Sequence, residues 1–178
     1  YTHTGSCTGW VFNNNFIADG GEWNTAGNWS LGHVPTSTED TTFYGIVTPG
    51  VTLTMTTTSA VAKSVDFSTA GAAFTLSGSV GINLYGSWTS KTGMTNSLTG
   101  GIVFNNNPAT ITSNSVAFST GISCYSAVTL GDNLTGTNFY LRNGASLSTS
   151  ANNYTMTLSG TFGDNSVAGT TTLTLGSS

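Results

Sequence analysis

The chain has 178 residues, a net charge of −4, and charged side chains at only 6%, against about 25% in ordinary globular domains. Thr (34), Ser (23), Asn (17) and Gly (23) fill more than half of it, while the helix formers Glu, Lys and Arg number two, two and one and Gln is missing, which excludes a helix-rich fold. With Lys63, Lys91 and Arg142 as the whole basic complement, nucleic-acid binding is excluded too, because too few phosphates could be neutralised.

Hydrophobic residues make up 37% and aromatics 11%, which argues for a packed chain rather than a disordered one. No run of about 18 apolar residues occurs, so no membrane-spanning helix is expected. The start at Tyr1 fits a mature, processed, secreted chain, and the expected location is extracellular, at a cell surface or in a virion.

Residues 1–22 come first and differ from the rest. Trp10, Val11, Phe12, Phe16 and Ile17 surround the run Asn13-Asn14-Asn15. This segment reads as a cap over the end of a sheet stack, or as a strand exchanged with a neighbouring subunit. Residues 23–178 read as one domain, entered through a Trp-rich, turn-rich segment at 23–45.

From about Ile46 onward, short Thr-rich apolar runs follow one another. They include Val51–Met55, Phe74–Leu76, Ile82–Tyr85, Gly101–Phe104, Ile122–Tyr125, Val128–Leu130, Tyr154–Leu158 and Thr172–Leu175. Several alternate apolar and polar residues with period two, as half-buried strands do. Gly, Asn or Ser separates most of them.

Internal echoes accompany the runs. Leu76-Ser-Gly78, Leu98-Thr-Gly100, Leu134-Thr-Gly136 and Leu158-Ser-Gly160 recur at spacings close to multiples of 12. Gly131-Asp132-Asn133 is echoed at Gly163-Asp164-Asn165. Repeats of this kind point to an all-β parallel β-solenoid, in which each coil buries its inward side chains by stacking on the next. An antiparallel β-sandwich or jelly roll is the alternative, since it also uses short strands and frequent turns.

The segment Trp23-x5-Trp29-Ser30-x-Gly32-x2-Pro35-x4-Asp40 resembles a module of repeat-bearing β-helix surface proteins. These are bacterial secreted and autotransporter-like proteins and structural proteins of tailed-phage virions. Thr129–Thr135 and Tyr154–Leu158 are similar to the repeats that follow that module. The resemblance implies a fibre, adhesin or appendage component and no catalytic residue.

The inventory for chemistry is thin. His33 with Asp40 or Asp66 and a serine has no nucleophile-elbow pattern around it. The acids Asp19, Glu22, Glu39, Asp40, Asp66, Asp132 and Asp164 form no obvious pair for glycoside hydrolysis. The expectation is therefore no enzyme and no cofactor. Asp132, Asn133, Asp164 and Asn165 are the calcium candidates, set against the plainer reading of Gly-Asp-Asn as a turn.

Trp10, Trp23, Trp29 and Trp88 are candidates either for core anchors or for a sugar-stacking platform. The rows Thr52, Thr54, Thr56 and Thr170, Thr172, Thr174 match solvent-facing strand positions and, as a lesser alternative, an ice-binding ladder. The sequons at Asn28, Asn133 and Asn153 are expected by chance in such a composition. Cys7 and Cys124 are expected to pair as a disulfide in an oxidising compartment.

The reading that gathers these features is a structural subunit of an extracellular filament or virion fibre, with itself as partner. Its junction is expected at Trp10, Phe12, Phe16, Thr172, Leu173 and Leu175. An uncharged last strand invites pairing, and head-to-tail contacts generate filaments. The alternatives are a carbohydrate-binding surface module, with surface glycans as partners, and a polysaccharide-degrading enzyme.

Overall fold

The computed structural model describes residues 13–105, 107–149, 152–164 and 172–174. They form a parallel β-solenoid. The first face is one eight-stranded sheet of Asn14–Asn15, Thr41–Thr42, Val65–Asp66, Trp88–Thr89, Ala109–Thr112, Val128–Leu130, Ser146–Ser148 and Thr172–Thr174, stacked in that order. The third face stacks Ala60–Ala62, Ile82–Leu84, Ile102–Phe104, Ile122–Cys124, Phe139–Leu141 and Phe162–Asp164.

The second face is broken into two sheets. Gly21–Glu22, Thr52–Met55, Thr75–Gly78 and Thr95–Leu98 form the first, and Leu134–Gly136 with Met156–Leu158 the second. Phe118 stands between them, bridged to Gly136. The interruption coincides with Asn114 and Ser115, both in the left-handed region at φ 48° and 65°. Asn tolerates that conformation better than most side chains.

Among the described residues every strand-to-strand pairing in these sheets is parallel, which rules out the sandwich alternative. The strands are short because each coil turns a corner after two to four residues. Period-two alternation then puts one or two apolar side chains per strand into the interior. The three-residue strands Ile82–Leu84, Ile102–Phe104, Ile122–Cys124 and Phe139–Leu141 all bury their first and last residues and leave the middle one outward.

The coil is not of fixed length. Along the first face, register runs Thr41, Val65, Trp88, Ile111, Leu130, in steps of 24, 23, 23 and 19 residues. Along the third, Ile82, Ile102, Ile122, Phe139 step by 20, 20 and 17. The Leu-Ser/Thr-Gly echoes are therefore not in register. Leu76 faces Asn96, while Leu98 faces Gly78. Leu134 faces Met156, while Leu158 faces Gly136. The offset is two residues in each case, which keeps every leucine on the inner side.

Aromatic rings stack along the axis. Trp23 meets Trp29 edge-on at 4.7 Å, and Trp29 meets Phe16 at 5.1 Å. Phe43 follows, 4.3 Å from Phe67, which lies 5.0 Å from Trp88, itself 5.5 Å from Phe118. All are essentially fully buried. Such pairs add about 0.5–1.5 kcal/mol each beyond area burial.

Close coil contact fixes certain glycines. A Cβ on Gly78 would lie 2.0 Å from the Met55 carbonyl oxygen of the coil before it. Only a residue without a side chain fits there.

Residues 14–22 belong to this stack rather than to a separate unit. Asn14 and Asn15 pair with Thr41 and Thr42, and Gly21 and Glu22 with Leu53 and Thr54. The boundary expected at residue 22 is thus not a break in the fold. Residues 1–12, with Trp10 and Phe12, lie outside the described residues.

Candidate functional site

The two ends of the solenoid differ. At the first coil the outer edge of Asn14–Asn15 is closed by the chain itself. Asn15 donates its N–H to Ser30 Oγ at 2.9 Å, and Ser30 returns its own N–H to the Asn15 carbonyl at 2.8 Å. Ile17 N–H reaches the Asn28 carbonyl and Leu31 N–H the Asn14 side chain. Phe16 and Trp29 form an antiparallel bridge within this strip.

The Trp-rich module thereby acquires a physical meaning. Trp23 and Trp29 plug the first coil, with Trp29 Nε1 donating to the Trp23 carbonyl at 2.7 Å. Gly32 turns at φ 73°. The Asp40 carboxylate pairs with Lys63 of the next coil at 2.8 Å. Blocking an edge with a short antiparallel strip is one way of preventing uncontrolled strand addition.

The far end carries no equivalent closure among the described residues. In the penultimate set of strands Leu134, Phe139, Leu141 and Leu147 are fully buried. In the set stacked on it, Met156 and Leu158 are only half-buried and Phe162 is 42% exposed. Phe162 lies flat over Phe139, 6.1 Å away at 15°. A cleft of 340 Å³ opens beside this end, its floor made by Phe118, Gly136 and Leu158 and its rim by Thr135, Thr157 and Ser159.

Phe16 is fully buried against Trp29 and Phe43. Its ring is spent inside the first coil, so it supplies no exposed junction surface. Thr172 and Leu173 lie in the strand paired to Ser146–Ser148. Leu175 lies outside the described residues, as do Trp10 and Phe12. Sequence reasoning missed Met156 and Leu158. Their signal was present in the alternating run Tyr154–Leu158, but burial state cannot be read from alternation.

Cys124 is a free thiol, fully buried between Phe104 and Leu141 of adjacent coils. Burial pushes its ionisation far up. The pairing expected with Cys7 is therefore not made at this end, and Cys7 lies outside the described residues.

The Gly-Asp-Asn echo splits on inspection. Asp132 is at a corner, where its carboxylate accepts the N–H groups of Ser113 and Asn114 at 2.7 and 2.6 Å. Asn133 likewise binds the N–H of Thr155 in the next coil at 2.9 Å. Asp164 instead sits in a strand opposite Leu141, and Asn165 lies outside the described residues. The two halves of the calcium motif are thus not equivalent positions. Among the described residues no group of three or more metal-binding side chains converges.

Other acids serve the backbone in the same way. Asp19 receives the N–H groups of Val47 and Thr48, and the Thr48 hydroxyl, followed by those two N–H groups, holds its carboxyl below the usual range. Partial burial would raise Glu22, but hydrogen bonds from Thr56, Thr54 and Asn24 outweigh it and keep the group below 4.5. His33 Nε2 approaches Glu39 at 3.4 Å rather than Asp40 or Asp66, and Asp66 caps the turn at Ser68. The sketched triad does not assemble.

Trp23, Trp29 and Trp88 are fully buried, so they form no sugar-stacking surface. Thr52 and Thr56 are exposed, and Thr54 and Thr56 donate their hydroxyls to Glu22. They serve the first coil rather than a free ladder. No family model matches the chain, and no curated protein or solved structure matches it either.

Proposed function

We propose that this protein is a non-catalytic structural subunit of an extracellular filament or virion fibre, joined end to end by stacking of β-strands. The observation that carries this reading is the inequality of the two ends. At one, Ser30 closes the Asn14–Asn15 edge, while Gly21–Glu22 and Ala60–Ala62 end their sheets among the described residues and are open to a neighbour's strands. The other leaves the inward side chains Met156, Leu158 and Phe162 partly uncovered. Apolar surface of that kind gains when another coil covers it, by about 25 cal/mol per Å².

Charge supports a head-to-tail arrangement. Residues 1–90 hold Asp19, Glu22, Glu39, Asp40 and Asp66 against Lys63, a net of −4. Residues 91–178 balance Lys91 and Arg142 against Asp132 and Asp164. Joining two like first halves would set −4 against −4, whereas a first half against a second half carries no such repulsion. Unlike ends that do not close on themselves build fibres.

The test is electron microscopy and sedimentation of the purified chain beside Leu158→Lys and a variant lacking residues 1–12. The wild type should form polymers. Both variants should lose them while keeping a β-rich circular dichroism spectrum. A monodisperse wild type at high concentration, or unchanged fibres in both variants, overturns the reading.

A further inference from the structure

The outward positions of the third face differ in chemistry from the other two. The first face presents Thr89, Thr110 and Thr129 outward, and the second Thr52, Thr75 and Thr95. On the third face the middle strand positions are Asn83, Val103, Ser123 and Tyr140, aligned coil by coil. The residues just past the strands form a second column, Lys63, Tyr85, Asn105, Tyr125 and Arg142. Backbone hydrogen bonds fix this alignment. Tyr85 N–H reaches the Ala62 and Lys63 carbonyls, Asn105 N–H that of Leu84, Tyr125 N–H that of Phe104, and Arg142 N–H that of Cys124.

This strip gathers three of the six tyrosines and two of the three basic residues of the chain. No acid takes an outward strand position in it between Ala60 and Arg142. Lys63 is answered by Asp40, but Arg142 pairs with no described carboxylate. Its guanidinium instead lies 5.0 Å above the Tyr140 ring, with the Nε buried and without a partner, so that only the outer edge of the fork is left for a ligand. Tyr125, one coil away, is 40% exposed.

We propose that this strip binds an extended saccharide bearing carboxylate groups, laid along the solenoid axis. Adjacent coils place equivalent side chains about 4.8 Å apart, close to the rise of one sugar unit in an extended chain. Tyr125 offers a ring face to the apolar side of a sugar. Asn83 and Asn105 offer both donors and acceptors to hydroxyls. Arg142, held in place by Tyr140, supplies the planar fork that suits a carboxylate. The site does not depend on polymer formation, because it lies on the side of the coil and not at either end.

Calorimetric titration of the full chain with oligogalacturonates, and with cello-oligosaccharides of equal length, tests this. The acidic oligomers should bind, and more weakly at high salt. Arg142→Gln and Tyr125→Ala should each weaken binding by about ten-fold or more, with Arg142→Lys between them and the wild type. Thr129→Ala, on the first face, should leave binding unchanged. All four variants should keep the wild-type thermal midpoint within a few degrees, since each position faces outward. Absence of acidic-oligomer binding, equal affinity for the neutral series, or indifference to both Arg142→Gln and Tyr125→Ala overturns the assignment.

Discussion

Ser30 and Asn15 face each other across the outermost edge of the first coil and exchange two hydrogen bonds through the outward backbone groups of Asn15, the hydroxyl of Ser30 accepting where a strand partner's carbonyl would. The exchange ends the sheet without a charge or a proline, two commoner ways of doing so. Replacing Ser30 by Ala removes the acceptor and leaves the Asn15 N–H unanswered. Thermal unfolding followed by circular dichroism should register a loss of about 1 kcal/mol. No change in midpoint would mean that this edge needs no closure.

Trp88 stands in the middle of the axial aromatic column, fully buried, with its Nε1 donating to Ser90 Oγ at 2.8 Å. Trp88→Ala removes contacts with both Phe67 and Phe118. Denaturant unfolding should show a loss of about 3–5 kcal/mol. An unaltered midpoint would contradict an interior position for this ring.

Glu22 gives the fold an acid-sensitive point at its first coil. Its carboxyl ionises more readily in the folded chain than its ordinary value of 4.5. A depressed acid contributes stability above its unfolded value, and that contribution is lost as pH falls through the folded one. Stability should therefore decline as pH drops below 4.5, and Glu22→Gln should flatten that slope. Asp19, lowered by its bonds to Thr48 and Val47, acts in the same direction. A Gln variant with the wild-type slope would remove Glu22 from the account.

Cys124 should resist labelling. Burial removes solvent access and suppresses the thiolate, the only reactive form. Iodoacetamide at neutral pH, with peptide mapping by mass spectrometry, should leave Cys124 unmodified in the native protein and modify it fully in denaturant. Rapid native labelling at that residue would place the thiol at a surface.

Much of the architecture was legible in the chain before its coordinates. Scarce helix formers, Thr-rich alternation and Asn/Gly punctuation act locally, so strands and turns follow from them, and the repeat echoes pointed to stacked coils over a sandwich. The parity of each strand was also readable, because apolar residues at i and i+2 share a face. The Leu echoes signalled that parity correctly but not the pairing, since a two-residue offset leaves the same side chains inward. Coil length varies from corner to corner, and no single period could represent it.

Sequence alone determined that this chain folds as short β-strands around an apolar interior, because residue-level propensity and alternation suffice for that, whereas parallel stacking rather than an antiparallel sandwich was decided by pairing between distant segments. Tertiary structure decided what each special residue does. Burial turned Trp23 and Trp29 into a plug rather than a surface and enclosed Cys124, and the fold placed Asp132 at a corner and Asp164 in a strand. The alignment of Tyr125, Tyr140 and Arg142 on one face was set by register between coils, and register depends on contacts far apart along the chain.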